Sequence, residues 1–295
     1  RREFELPSKK IVGARLYCTA QGLYLASING ERIGHDQFRP GWTDYNRRIQ
    51  TQTYDVTSLV SNGSNVVGIV LAEGWYCGHV CWFGRRQYGV VAQALCQLEV
   101  QFEDGKSQVI PSSADWRWSY GPIASADLLM GEAQDLGQDM PGWDRTGFDS
   151  GSWKAVKAAP IGQAPLKPQA CESVVATREL AAISVSEPTP KTFIYDLGQN
   201  MVGVGQLSLN VPSGTKLTVR HGEMLNPDGT LYTTNLRAAK AVDSYVVPKG
   251  GNCVLTPHFT FHGFRYLELT GLDQRPPLDS VHGVVLGQGC RETGT

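Results

Sequence analysis

The sequence lacks an excess of charge of either sign. Its 27 Lys and Arg nearly cancel its 28 Asp and Glu, leaving a net charge of −1. Without a basic field there is no electrostatic footprint for nucleic acid or for an anionic membrane surface, so neither is expected as a partner. The sequence also lacks a long apolar run, and nothing approaches the roughly 18–20 residues of a membrane span. The opening Arg1-Arg2-Glu3-Phe4-Glu5 lacks the apolar stretch of a signal peptide. A soluble chain is expected, and cytoplasm and secretion both stay open. Disulfide arithmetic is absent too: the seven cysteines are odd in number and share no recurring spacing, which excludes a dense disulfide framework. Finally, there is no amphipathic helical period of useful length, no G-x-S-x-G elbow and no phosphate-cradling glycine loop.

What is present is glycine (33), with 7 Trp and 11 Tyr. Many glycines among many aromatics favour a turn-rich β protein of the kind that often meets carbohydrate. At 295 residues the length sets a prior of two domains. Strand alternation is clear at Arg15–Ala20, with Leu16, Cys18 and Ala20 on one face, and again at 94–102, with Ala94, Cys96, Leu98, Val100 and Phe102 inward. Cys18 and Cys96 thus read as buried free thiols. Asn29-Gly30 closes a hairpin after Leu23–Ile28. Asp55 can cap a short helical turn over 56–60. The apolar run Val66–Leu71 reads as a strand buried on both faces. Gly74–Gly89, GWYCGHVCWFGRRQYG, breaks every period and reads as a long surface loop. Residues 158–170, rich in Pro and Ala, mark a linker, which divides the chain into domains at 1–165 and 166–295. In the second domain Leu207–Val211, Leu217–Val219, Ser244–Val247, Thr256–Phe261 and Tyr266–Leu269 read as short strands. Pro212-Ser213-Gly214 and Pro227-Asp228-Gly229 read as turns. The fold class is all-β, two consecutive sandwiches.

The most unusual stretch is Phe193–Val247. It carries Asp196, Asn200, His221, Glu223, Asn235 and Arg237 between strand-like runs, where an apolar core would need none of them. Together with GLYLASINGERIG, PGWTDYNRRIQTQTYDVT, GWYCGHV, RRQYG and GPIASADLLMGE in the first half, its motifs YDLGQNMVG and RHGEMLNPDGTLYTTNLR, followed by FTFHGFRYLEL, resemble the two non-catalytic β domains of bacterial-type α-L-rhamnosidases. The likeness runs from about Arg2 to Val285 in the family's order. It implies a galactose-binding-like (jelly-roll) sandwich followed by a concanavalin-like one. Phe148–Trp153 resembles the closing turn of the first.

In that family the parent enzyme hydrolyses terminal α-L-rhamnosides by inversion. Its catalytic carboxylates sit in a helical barrel after these domains, and that barrel's acidic signature is absent here. The resemblance therefore implies an N-terminal fragment without catalytic residues, which supports the missing barrel and leads into it at Gly289–Thr295. A stand-alone lectin-like module is the alternative. Where many relatives place an Asp after RRQYG, this chain has Val90-Val91.

The residues themselves allow three kinds of chemistry. Glycoside hydrolysis needs two carboxyl groups, and Glu223 with Asp196 or Asp44 with Asp55 are formal pairs. Turn and strand-edge carboxylates, however, usually accept backbone N–H bonds or pair with Arg. His221, Glu223 and His262 can be drawn as metal ligands, and Cys77, His79 and Cys81 as a zinc site, but none has helical or finger spacing. A hydrogen-bonded polar framework of Asp196, Asn200, His221, Glu223 and Arg237 is the plainer reading. Sugar binding calls for an aromatic platform and planar polar groups. Trp75, Tyr76, Trp82, Phe83, Arg85, Arg86 and Tyr88 offer both in one loop, with Asp44 and Arg48 alongside. The resemblance implies that such a module can hold rhamnose with the help of calcium in the first domain, and no cofactor is otherwise required. Packing against the missing barrel is the competing use of these aromatics.

Overall fold

The structure is a computed structural model and describes residues 1–159, 162, 164–291 and 293–294. It is almost entirely β, in two units. The first comprises Arg1–Tyr120 and Met140–Cys171. The second comprises Gly121–Asp139 and Glu172–Thr295. The passage from one to the other thus falls after Cys171, not after 165, and residues 121–139 leave the first unit for the second. Within the expected linker, positions 160, 161 and 163 lie outside the described residues, as do 292 and 295 of the expected lead into a further domain.

The first unit is a sandwich of a four-stranded and a five-stranded sheet. The four-stranded sheet orders Arg2–Leu6, Gly63–Ala72, Leu23–Ile28 and Glu31–Arg32. The five-stranded sheet orders Leu166–Pro168, Ile49–Asp55, Ile11–Gln21, Gln93–Phe102 and Ser107–Pro111. The alternating residues face inward as their period requires: Leu16, Cys18, Leu98, Val100 and Phe102 are buried with Tyr24, Ile28 and Val67. Cys18 and Cys96 are both buried and free. Asn29 and Gly30 both adopt positive φ, +53° and +84°, as a two-residue hairpin turn demands. The Asp55 carboxylate accepts the Thr57 N–H at 3.0 Å, and a 3-10 turn follows at Thr57–Leu59. The run Val66–Leu71 is buried only in its first half, and Leu71 is exposed.

The second unit is built on one ten-stranded sheet folded around its own core. Its axis is the 20-residue strand Thr192–Val211. The early part of that strand pairs with Ser184–Thr189 and His262–Thr270. Its later part pairs with Val281–Gln288 and Gly251–Leu255, after a register shift between Asp196 and Met201. That irregularity lets one strand serve both faces of a sandwich. Tyr195, Leu207, Leu217, Phe264, Leu267 and Leu269 fill the space between. Each such side chain contributes roughly 1.5–3 kcal/mol by leaving water.

Two expectations are corrected here. Thr256–Phe261 is a loop, and the strand begins at His262. Pro257 has no N–H to give a ladder. The N–H groups of His258 and Phe259 donate instead to the buried Glu132 carboxylate, at 3.0 and 2.8 Å. The second concerns residues 121–139, which the division at 165 places in the first domain and which supply that carboxylate to the second unit. Ile123–Asp127 and Gly131–Asp135 form a hairpin whose second strand runs parallel to Val242–Val247, so a segment from within the first unit's sequence completes the second unit's sheet. Gly131 makes the approach possible: a Cβ there would lie 2.0 Å from the Val242 carbonyl, and its φ is +104°.

Glu132 is 1% exposed and also accepts from the Gln134 amide at 2.7 Å. Glu132→Ala leaves these donors buried without an acceptor, so a loss of about 3 kcal/mol or more is expected in urea unfolding. Glu132→Gln, which keeps one acceptor oxygen, is expected to lose less.

Candidate functional site

The loop expected to carry sugar chemistry is short helical turns, Gly74–Cys77 and Cys81–Phe83, with no strand. Its aromatics fall into two groups. Trp75 stacks on Trp42 with centroids 6.1 Å apart and planes within 8°, and meets the edge of Phe38. Tyr76 and Tyr88 each pack edge-on against the buried Tyr45, at 5.3 and 5.1 Å. Such pairs hold rings in fixed orientations. Tyr45 thereby ties the loop to the turn containing Asp44, whose carboxylate accepts the Asn46 N–H and pairs with Arg47. Arg85 is ion-paired with Glu73, Arg86 is exposed, and Trp82 and Phe83 project outward at 76% and 73% exposure. Val90 and Val91, a few residues on, are exposed as well. The region's carboxylates, Asp44 and Glu73, are thus held separately, and the first unit has no group of three potential metal-ligating acids, histidines or cysteines among the described residues. Cys77 is buried, Cys81 is exposed, and with His79 they make no metal cluster.

The polar framework of the second unit divides into three. Asp196 receives both Nε and Nη2 of Arg265 at 2.7 Å, a two-pronged pair that holds its carboxyl below the ordinary range, helped by the Gly198 N–H. Glu223 lies at the surface in a bend, where it accepts from Asn200 and Asn235, each at 3.0 Å. Arg237 is exposed nearby in sequence at positive φ. His221 is fully buried and separate from Glu223. The strand Thr215–Gly222 ends before Glu223, so the shared face expected from alternation does not extend to it.

His221 instead meets two residues from neighbouring strands. Asp243 Oδ2 is 3.6 Å from His221 Nε2, and Asp243 Oδ1 is 3.3 Å from His262 Nε2. The two rings lie 4.0 Å apart, centre to centre. Burial pushes His221 down to about 3, with His262 acting in the same direction and Asp243 against it. Burial likewise pushes His262 down to about 4 and Asp243 up to about 6. His262 was considered as a ligand from sequence, but Asp243 was missed. A signal for it existed: in Val242–Val247 the buried phase reads Asp243, Tyr245, Val247, a carboxylate where an apolar side chain is the rule. Elsewhere in this unit an open groove of about 1130 Å³ is lined by Leu209, Asn252, Arg275 and Asp279 among others, none of them chosen from sequence.

Comparison with known proteins matches residues 9–178 to the α-L-rhamnosidase N-terminal domain and residues 186–287 to the bacterial α-L-rhamnosidase concanavalin-like domain. The chain belongs to the bacterial α-L-rhamnosidase family. An α-L-rhamnosidase from Streptomyces avermitilis is 50% identical over 97% of this chain, and one from Formosa agariphila is 40% identical over all of this chain. The crystal structure of the Streptomyces avermitilis α-L-rhamnosidase complexed with L-rhamnose superposes with a TM-score of 0.95 at 49% identity, over 98% of this chain. The chain spans only 28% and 32% of the length of these two curated rhamnosidases, and 28% of that crystallised chain. Among the described residues no helix is long and apolar enough to cross a membrane.

The Asp196–Arg265 pair sets a pH dependence. A carboxyl held below its ordinary range stabilises the fold above that range and ceases to do so as pH falls through it. The stability difference between the wild-type chain and Asp196→Asn is therefore expected to be full at neutral pH and to shrink progressively once pH falls below the ordinary aspartate range of about 3.9, as followed by thermal unfolding from neutral to acid pH.

Proposed function

We propose that this chain is the non-catalytic β portion of a longer α-L-rhamnosidase, a glycoside hydrolase that cleaves terminal α-L-rhamnosides with carboxylates located outside these residues. The observation that carries the proposal is the alignment: almost the whole chain is accounted for by less than a third of each curated rhamnosidase. The engagement of its own carboxylates supports it. Asp196 is clamped by Arg265, Glu223 by two asparagines, Asp55 by Thr57 and Asp44 by its own turn. A hydrolytic pair needs one carboxyl free to protonate the leaving group and one to act on the opposite side.

The chain's own work on this reading is to support the catalytic domain and to hold rhamnosyl sugar at the aromatic loop. Trp82 and the Trp42–Trp75 stack supply flat apolar faces, and Arg85 and Arg86 supply planar donors for hydroxyl groups. The exposure of Trp82, Phe83, Val90 and Val91, all within ten residues of sequence, also favours a second use of this region, coverage by the remainder of the polypeptide.

Two measurements separate these statements. The purified chain is expected to give no turnover of nitrophenyl α-L-rhamnoside; turnover abolished by a single carboxylate change overturns the non-catalytic assignment. In calorimetry with millimolar L-rhamnose, with and without added calcium, heat of binding is expected and is lost in Trp82→Ala, an exposed position whose change leaves the fold intact. Absence of heat under both conditions removes the sugar-holding role and leaves the surface to packing.

A further inference from the structure

The buried meeting of His221, Asp243 and His262 is unresolved by hydrogen bonding alone. His221 Nδ1 lies 2.9 Å from the Ala241 carbonyl. A carbonyl only accepts, so Nδ1 carries the proton and the neutral ring presents a bare lone pair at Nε2. That lone pair is sealed from water, has no hydrogen-bond partner, and faces a carboxylate oxygen at 3.6 Å. Two acceptors pointed at one another in a dry interior repel, and one buried unsatisfied atom already costs about 1–3 kcal/mol. A cation between them removes the conflict.

We propose that His221 Nε2, the Asp243 carboxylate and His262 Nε2 hold a divalent transition-metal cation of the zinc class as a structural site within the second unit. The three ligand atoms lie within 4.8 Å of one another, and this is the only such group of three among the described residues. The oxygen–nitrogen separations of 3.3 and 3.6 Å are long for hydrogen bonds. The 3.3 Å from His262 Nε2 to Asp243 Oδ1 suits the edge of a tetrahedron with bonds of about 2.0–2.1 Å, which is roughly 3.3 Å, and the 3.6 Å from His221 Nε2 is to the other oxygen, Oδ2. Two imidazoles with one carboxylate select zinc and its neighbours over calcium or magnesium.

The surroundings have the form of an outer shell. His221 is oriented by its Nδ1–H to a backbone carbonyl, and Asp243 Oδ1 accepts the Glu132 N–H at 2.8 Å. Gly205 keeps space open beside the site, since a Cβ there would lie 3.7 Å from His221 Nε2. The ligands come from the strands Thr215–Gly222, Val242–Val247 and His262–Thr270. The cation therefore clips three strands together, with the Gly131–Asp135 hairpin strand attached through Glu132. The proposal does not depend on the proposed function.

The test uses the full 295-residue chain, stripped by chelator and returned to zinc or cobalt. Expected are stoichiometric zinc retained through dialysis, a rise in unfolding temperature with zinc, and the visible absorption of tetrahedral cobalt. Asp243→Asn and His262→Gln, checked for native far-UV circular dichroism, are expected to weaken zinc binding by more than roughly 100-fold. The cobalt spectrum of the wild-type chain stands as a readout even if a variant fails to fold. A folded wild-type chain that neither retains zinc nor develops the cobalt spectrum overturns the proposal. So does zinc binding that is undiminished in both folded variants.

Discussion

The second sandwich depends on a carboxylate where sandwiches normally place an apolar side chain. Glu132 sits almost wholly out of water and is made tolerable by the N–H groups of His258 and Phe259 and the amide of Gln134. A buried charge is costly unless every lone pair finds a donor. Here the two backbone donors belong to a loop more than a hundred residues away in sequence, and the residue's own N–H goes to Asp243. The arrangement works in both directions. The carboxylate satisfies a loop that cannot be a strand, and the loop holds the hairpin that extends the sheet. Alignment of the hairpin with Val242–Val247 then fixes Asp243 beside His221 and His262.

The same logic explains why a stretch so rich in acid and base side chains carries no visible catalytic pair. Catalytic carboxyls need spare hydrogen-bonding capacity and opposite faces on a substrate. Those of Phe193–Val247 have little to spare. Asp196 spends both oxygens on one guanidinium, Glu223 spends both on side-chain amides, and Asp243 is shut inside. Each is engaged by its own neighbours, at a strand, a bend or in the core.

Much of the fold was legible in the sequence because its signals are local. Period-two alternation located Leu16, Cys18, Leu98 and Val100 in the first core, and Asn29-Gly30 fixed a hairpin by the φ values it requires. The family motifs carried the two-sandwich order. What escaped is non-local. The hairpin at Ile123–Asp127 and Gly131–Asp135 has too little apolar character to announce strands, because its buried residues include Asp127, Glu132 and Gln134. Their partners lie over a hundred residues on, so no window of sequence contains both halves of the interaction. The domain boundary shifted for the same reason. At the site level, His221 and His262 were chosen for their type, but Glu223 was given the place that belongs to Asp243. The alternation was extended one residue past the end of a strand.

That strand end has a physical cause, and it separates the interior of this unit from its surface. A side chain at Gly222 would collide with Leu231, its Cβ falling 2.6 Å from Leu231 Cδ1. Glycine there lets the chain bend over the Leu231 side chain, so Glu223 emerges on the outside although His221, two residues earlier, is sealed within. One turn of backbone thus divides a motif that reads as a single His-Gly-Glu cluster into an interior histidine and a surface acceptor. Placing the histidine against Asp243 and His262 needs an apolar seal, which Phe264 and Leu267 provide; placing the glutamate against Asn200 and Asn235 needs only water and amides. The sequence motif is shared by two environments, and each must be argued from its own neighbours.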